Sequence, residues 1–510
     1  MNGRPRSRIA GNAFSLAVCG AAGMLFTLLQ LGILSRNLDG GTFGMFVALR
    51  GLSLLLATVM LLGMPQVLIR FLPSYNNRGE RVKALRLFSV AAVAVVVVGL
   101  ALLASIDLWK GLMPFGLAEA PGRDVIFWMT LSSIPLALKL LLYGAFNGQR
   151  VMHLQMIYEL GYLLLMTAAI AVMRVRLDIV LLFRLAFVLN LAVFAGGLPA
   201  FLACLLGEKA GKAGPAMEGV ITPSFTAYLG NSILLSLVAL AFTDFDRFVM
   251  SSALPLTAIS LFHIASRINS LLKRFLGFPV VALQPEITRI YEEGRWGDLR
   301  DRIVLFTKTT LVCSFLFTSL AAIGGADAIR LISGEAFLPA YGVLAIMLPC
   351  VPIAALIAPL LSAMKGLHFM RWAVISDLTW MTVYFGSFFF LVSLMGVRGM
   401  AFAQLCASVV QMTVVVVLSR KGGFYGGAGK RTGRVLAAFV LYTAAGVALR
   451  WRFGLAATAV LLLGSPFFLR EVLIRFKVFD SGESGMIKNM IGFGAGRRLV
   501  AWAIGSGRSV

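Results

Sequence analysis

The sequence predicts an all-α polytopic membrane protein with about 14 transmembrane helices, built as two pseudo-symmetric six-helix lobes followed by two C-terminal helices. Three observations support this fold class: an apolar composition, recurring apolar runs of membrane-spanning length, and an internal repeat at a constant offset. Of the 510 residues, 59% are hydrophobic and 13% are charged, whereas a soluble protein carries about 25% charged residues. Most of the chain is therefore expected within a bilayer.

The apolar runs place the individual elements. A helix needs about 20 mostly apolar residues to cross a bilayer, and lipid offers no hydrogen-bond partner to an open strand edge. Fourteen segments meet this requirement: residues 12–34, 43–63, 88–106, 125–146, 154–173, 181–205, 222–243, 256–283, 303–323, 340–364, 372–395, 399–419, 434–449 and 453–468. Their connections are short, the longest lying near 70–87 and 284–302, so the function is expected within the helix bundle.

The positive charge predicts an orientation. The net charge is +24, with 46 lysines and arginines, and most of these lie in connections on the same side as the basic N-terminus. The positive-inside rule then places both termini in the cytoplasm. This distribution favours anionic membrane lipids as a partner and argues against nucleic acid.

An internal repeat divides the chain. "RGLSLLL" from Arg50 resembles "RINSLLK" from Arg267, and similar pairs begin at Gly11 and Gly230 and at Asn147 and Lys365, all at offsets of 217 to 219 residues. The offset spans six helices, so both halves enter with one orientation about an axis along the membrane normal. The predicted domains are an N-lobe at 1–218, a C-lobe at 219–425, a linker with two extra spans at 426–476, and a basic cytoplasmic tail at 477–510.

Polar side chains recur on one face of the span 256–283. They stand three or four residues apart, which is the spacing of one helix face, and they are Ser260, His263, Arg267, Ser270 and Arg274. Lipid does not accommodate such a face, so it lines either water or a packed protein seam with internal partners.

Further intramembrane cations extend this pattern. Arg50 is the repeat partner of Arg267, and Lys139 lies within the span 125–146. Because an excess of positive charge selects an anion and a guanidinium matches phosphate oxygens, we predict an anion-binding cavity. Its candidate residues for pyrophosphate or an anionic glycan are Arg50, Arg267, His263, Ser270, Arg274 and Lys139.

Two acidic residues lie well within spans. Glu159 and Asp377 are repeat partners, and buried carboxylates carry protons or bind Na⁺ in transporters. They are predicted either to couple transport to H⁺ or Na⁺, or to form salt bridges that hold a lobe together, with Arg150 and Arg371 as nearby cations. No other cofactor, catalytic residue or metal site is predicted, and there is no nucleotide-binding P-loop.

Two smaller polar groups complete the pattern. Gln404, Ser408 and Gln411 share one helix face and are candidates for contact with sugar hydroxyls. A cluster at the end of a predicted span, comprising Asp244, Asp246 and Arg247, is predicted to be solvated.

Several segments resemble a known family. "LSRNLDGGTFGMFVALRGLSLLLATVMLLGMPQVLIRFLP", "TDFDRFVMSSAL", "ALQPEITRIYEEG" and "LISGEAFLPAYGVLAIMLP" resemble the polysaccharide (O-antigen and exopolysaccharide repeat-unit) flippases of the multidrug/oligosaccharidyl-lipid/polysaccharide exporter superfamily, over about residues 8–425. The resemblance implies alternating access between two six-helix lobes in a bacterial inner membrane. It also implies an undecaprenyl-pyrophosphate-linked oligosaccharide as cargo, with a polysaccharide polymerase and glycosyltransferases as partners.

Two other transport functions remain open at this point. A small-molecule exporter of the multidrug branch commonly handles organic cations, for which the intramembrane charges have the wrong sign. A lipid II flippase also uses a cationic cavity, but its first-helix arginine pattern is not found here. An enzyme is not expected, because no connection is long enough to hold a soluble active site.

Overall fold

The computed structural model describes residues 5–77, 79–110, 121–149, 151–207, 226, 228–230, 232–233, 236, 245–367, 369–425, 430–476 and 478–479. All regular secondary structure in these residues is helical, which confirms the all-α fold class. Ten helical segments are long and apolar enough to cross a membrane, so the chain is a multi-pass membrane protein.

Packing divides the chain into two compact units, Met1–His263 and Ile264–Val510. The helices that begin in the first unit are α1 Pro5–Asn37, α2 Gly40–Leu61, α3 Met64–Asn77, α4 Arg81–Ala104, α5 Ile106–Trp109, α6 Arg123–Gly148, α7 Met152–Val172, α8 Ile179–Gly207, α9 Phe245–Met250 and α10 Leu256–Glu292. Helix α10 continues into the second unit. The predicted lobe boundary at 218/219 lies outside the described residues and stays a prediction.

The second unit contains the rest of α10 and seven further helices. These are α11 Trp296–Ser333, α12 Ala340–Met347, α13 Cys350–Gly366, α14 Met370–Met395, α15 Val397–Lys421, α16 Lys430–Phe453 and α17 Leu455–Arg475. Each predicted span therefore coincides with helical structure except 222–243, which lies largely outside the described residues. Most of the predicted tail at 477–510 also lies outside them.

Helix α2 has defined ends. The Asp39 carboxylate accepts hydrogen bonds from the Thr42 amide at 2.9 Å and from its hydroxyl at 2.5 Å. This is a side-chain cap of the helix N-terminus, and these bonds, led by the hydroxyl, lower the pKa of Asp39. At the other end Leu62 and Gly63 have positive φ angles of 47° and 71°, a left-handed turn that glycine tolerates.

The stretch 70–87 was predicted to be a connection, but its first part belongs to helix α3, Met64–Asn77. Its 14 residues are too few to span a bilayer and include Arg70, so the sequence pattern did not separate them from a loop. Its apolar side packs closely on α6. A Cβ at Gly148 would lie 2.8 Å from the Leu68 carbonyl oxygen, and one at Gly144 would lie 2.8 Å from the Pro65 Cα. At the end of α3, Asn76 donates to Gln149 at 2.5 Å.

A second local correction concerns the predicted span 340–364. It consists of two helices, α12 and α13, separated at Leu348 and Pro349. Proline lacks an amide hydrogen and interrupts the helical hydrogen bonds. The end of α13 contributes Leu360 and Met364 to a buried core that also contains Ile290 from α10 and Ile303 from α11.

The last two helices pack on α11. Asp327 on α11 accepts two bonds from Arg450 on α16, at 2.9 and 3.1 Å, and one from Thr458 on α17 at 3.1 Å. About two helical turns away, Thr443 donates to the Ser319 hydroxyl at 2.7 Å. These polar contacts tie both C-terminal helices to the second unit.

Candidate functional site

The five polar residues predicted to share one face of α10, here called the polar stripe, differ in their burial. Ser260 and His263 are buried, Arg267 and Ser270 are partly buried, and Arg274 is exposed. Because all five residues lie on one continuous helix, their spacing does place them on one face. Their predicted role in substrate binding stays a prediction.

The buried start of the stripe is in contact with α2 within the first unit. A Cβ on Gly44 would overlap the carbonyl oxygen of Leu256, so glycine permits a backbone-to-backbone approach at this point. The Phe43 and His263 rings meet edge to face at 5.8 Å between centroids. His263 therefore belongs to a packed helix contact as well as to the predicted stripe.

Arg50 lies two helical turns beyond Phe43 on α2. Its side chain is exposed, although Ala48 and Leu49 beside it are fully buried. A guanidinium in the middle of an apolar helix costs roughly 2.5–3.5 kcal/mol or more when it faces lipid. The exposed face of α2 that carries Arg50 is therefore expected to face water.

Lys139 lies in a different environment. It is 4% exposed, and its ammonium group is 3.2 Å from a Glu159 carboxylate oxygen. The ammonium also lies 3.9 Å from the centre of the Tyr162 ring, a cation–π distance. The same Glu159 oxygen accepts a bond from the Tyr143 hydroxyl at 2.9 Å. Lys139 and Glu159, predicted for separate roles, are thus brought together in the first unit.

The second intramembrane acid has a neutral partner. Asp377 on α14 accepts a hydrogen bond from the Gln411 side chain on α15 at 3.1 Å. Among the described residues no ion pair joins Asp377 to Arg371, and the choice between ion coupling and a salt bridge at Asp377 stays a prediction. Arg150, the cation predicted for Glu159, lies outside the described residues.

The polar face of α15 also packs against α14. Beside the Gln411 contact, the Trp380 indole donates to the Ser408 hydroxyl at 3.4 Å. Gln404 lies on the same face, and its side-chain oxygen is buried without a described partner. Two of the three residues predicted to contact sugar hydroxyls are therefore used in helix packing.

Two further groups of charged residues have partners within the first unit. Arg184 lies 4.8 Å from the Trp128 ring, and both residues are near the starts of their helices, as in an interfacial aromatic belt. Asp246 and Arg247 form an ion pair at 2.8 Å with 12% and 7% of their side chains exposed. The predicted solvated cluster is therefore wrong for this pair, which is buried; Asp244 lies outside the described residues.

The tyrosines around Glu159 were not singled out from the sequence. Tyr143 follows Lys139 by four residues and Tyr162 follows Glu159 by three, and both spacings bring side chains onto one helix face. An aromatic residue one helical turn from each intramembrane charge is the sequence pattern that indicates this cluster of two charges and two rings.

No family model matches the sequence, and no curated protein matches it. Solved structures do share the fold. The lipid II flippase MurJ in an inward closed conformation is 11% identical, with 91% of this chain and 99% of that chain covered at a TM-score of 0.69. An inward-facing multidrug resistance MATE family transporter of the MOP superfamily is 14% identical, with 81% and 95% covered at a TM-score of 0.60.

A third structure widens this comparison. A MOP superfamily transporter from Pyrococcus furiosus, reported with a binding pocket of reverse polarity, is 13% identical, with 82% of this chain and 96% of that chain covered at a TM-score of 0.58. At these identities the likeness shows the fold alone. The chain has the fold found in MurJ and in MATE transporters.

Proposed function

We propose that this protein is a membrane flippase that moves undecaprenyl-pyrophosphate-linked oligosaccharide units from the cytoplasmic to the outer leaflet by alternating access. The shared fold supports the broader class, a transporter and not an enzyme. The narrower cargo rests on the resemblance of the sequence to polysaccharide flippases and on the chemistry of the intramembrane charges. The proposed location is a bacterial inner membrane, with both termini in the cytoplasm.

The observation that carries the proposal is the exposed Arg50 in the middle of α2. A transporter of organic cations gains nothing from a guanidinium in its path, because like charges repel. An anionic headgroup gains a charge-assisted, bidentate partner. Arg267 and Arg274 on α10 add the same chemistry on a helix that is related to α2 by the repeat.

In the proposed mechanism these arginines bind the pyrophosphate or acidic sugars. Ser270, which is partly buried on the same helix face, supplies a hydrogen-bonding group, and the apolar tail stays in lipid. ATP is not the direct energy source, and H⁺ or Na⁺ is the proposed coupling ion. Anionic lipids, a polysaccharide polymerase and glycosyltransferases are the proposed partners.

The first test is made in cells. The gene is deleted, the undecaprenyl-linked glycans are quantified by mass spectrometry, and their sidedness is probed with an impermeant glycan-modifying enzyme. We expect one lipid-linked oligosaccharide to accumulate in a protected, cytoplasmic pool. Unchanged pools and sidedness, in a strain without a substitute transporter, would contradict the proposal.

Variants then test the arginines. Arg50→Glu and Arg267→Glu should each abolish complementation at unchanged expression, while Arg50→Lys should retain part of it because the positive charge remains. The matched control is Arg184→Glu, because Arg184 is an exposed arginine near the start of its helix, where it contacts the Trp128 ring. Wild-type complementation by both charge reversals would end the anion-site proposal.

Two alternatives keep specific support. The likeness to MurJ favours a lipid II flippase, and accumulation of lipid II in place of a lipid-linked oligosaccharide would identify it. The likeness to a multidrug MATE transporter favours a small-molecule exporter. A changed resistance to cationic dyes upon deletion, with unchanged lipid-linked glycans, would identify that function.

A further inference from the structure

The two intramembrane carboxylates occupy equivalent places in the repeat but have unlike surroundings. Glu159 and Asp377 are 218 residues apart, and each lies on a helix long enough to span the membrane. Equivalent positions with different partners show where the two halves have diverged. The partners therefore indicate what each carboxylate does.

Glu159 has a cation built into its own unit. The Lys139 ammonium lies 3.2 Å from it, and the lysine side chain is 5% exposed. Tyr162 covers the ammonium at 3.9 Å from the ring centre, and Tyr143 donates to the same carboxylate oxygen. An ammonium this well buried loses its hydration, so its charge is balanced by this carboxylate and these rings.

Asp377 has no equivalent of this lysine. The positions that correspond to Lys139 and Tyr143 at the same offset are Ile357 and Leu361, neither of which carries a charge or a hydroxyl. Among the described residues its hydrogen-bond partner is the neutral Gln411. Lys365 is exposed and forms no ion pair with Asp377 among the described residues.

We propose that the Lys139 ammonium is a tethered counter-cation that permanently occupies the carboxylate of the first half, so that Glu159 does not bind a mobile ion. This inference deepens the proposed ion-coupled transport, on which its biological meaning rests. It also gives Lys139 a role other than contact with the cargo. Asp377 remains the intramembrane carboxylate without a built-in cation.

The proposal has a direct chemical consequence. Removal of the ammonium leaves Glu159, whose side chain is 41% exposed, as an anion on a helix long enough to span the membrane, with the Tyr143 hydroxyl and the face of the Tyr162 ring beside it. An uncompensated carboxylate there is costly, and binding of a monovalent cation such as Na⁺ relieves the cost. Lys139→Met should therefore create a new cation site where the native chain has none.

The experiment counts bound ²²Na⁺ on the purified full-length protein at alkaline pH, where protons compete least for a carboxylate. Lys139→Met should bind one additional Na⁺ per chain relative to the native protein. Lys139→Arg, which keeps the cation, should bind none in addition. Lys139→Met combined with Glu159→Gln should return to the native count, because the carboxylate is gone.

Two results would overturn the proposal. One is a folded Lys139→Met variant with the native Na⁺ count, and the other is an additional ion that persists in the double variant. If Lys139→Met alone does not fold, the Lys139→Met/Glu159→Gln double variant still tests the proposal, because it leaves no unpaired charge at this site. Its Na⁺ count should equal that of the native protein, and a lower count would mean that Glu159 binds the mobile ion.

This measurement is independent of the cargo. The Na⁺ counts are taken on purified protein without any lipid-linked glycan. A deletion strain that accumulates no glycan would remove the proposed cargo and leave the conclusion about Lys139 standing.

Discussion

Replacing Arg450 with methionine tests whether one ion pair fastens the last two helices to the second unit. Arg450 on α16 makes two hydrogen bonds to Asp327 on α11, and Thr458 on α17 donates to the same carboxylate. The arginine and aspartate side chains are 22% and 18% exposed. Methionine preserves most of the apolar stem and removes the charge.

The expected cost follows from this partial burial. Breaking a fully buried ion pair costs about 3–5 kcal/mol, whereas exposed pairs are worth about 0–1 kcal/mol. With about one-fifth of each side chain exposed, Arg450→Met should lower the free energy of unfolding by about 2 kcal/mol. Among the described residues Asp327 then keeps one hydrogen-bond donor, Thr458. Part of the lost free energy of unfolding therefore comes from leaving this carboxylate incompletely paired.

The assay is a double-mutant cycle on the purified protein. Arg450→Met, Asp327→Leu and their combination are compared in chemical or thermal unfolding, and the two residues should couple by about 1–2 kcal/mol. Arg452→Met is the matched control, because Arg452 is exposed on the same helix and should change stability by less than about 0.5 kcal/mol. A coupling energy near zero, or an equal loss in the control, would refute the reasoning.

Three further predictions concern the first unit. Gly44→Leu should destabilise the protein by about 1–3 kcal/mol through overlap with the Leu256 carbonyl, whereas Gly161→Ala, where a Cβ meets open space, should be neutral or stabilise by up to about 1 kcal/mol; comparison of their unfolding midpoints tests this. Asp39→Ala should cost about 0.5–2 kcal/mol in the same assay through loss of the helix cap. Because the folded-state pKa of Asp39 is lowered, its contribution is present above the unfolded pKa and is lost as pH falls through the folded value. Thr42→Val should therefore reduce the acid-dependent part of the stability, and an unchanged pH profile would contradict this.

The spans were predictable because lipid imposes one simple requirement on sequence. A run of apolar residues of sufficient length must be helical, and every described predicted span is helical. Features shorter than a span escape this requirement. Helix α3 has the sequence pattern of a connection because it is short and carries Arg70. The break at Pro349 leaves no gap in the apolar run because both flanking helices are apolar.

The candidate site was predictable only in part, because periodicity gives faces and not partners. The spacing on α10 placed Arg267 and Arg274 on one face. It did not show that Glu159 pairs with Lys139, since these residues lie on different helices and meet only through tertiary packing. The same limit applies to Asp246 and Arg247, whose position at a predicted helix end suggested solvent while packing buries them.

The placement of charge, more than the fold, distinguishes the candidate cargoes. Structures of a lipid II flippase and of a multidrug resistance transporter share this fold, so the fold alone does not identify the cargo. Arg184 and Arg50 are both exposed, but Arg184 packs on Trp128 near the helix starts, while Arg50 lies in the middle of α2. An interfacial guanidinium can be retained for its contact with the aromatic belt. A guanidinium in the middle of an apolar helix costs several kcal/mol where it faces lipid, and we propose that binding of an anionic headgroup contributes to offsetting that cost.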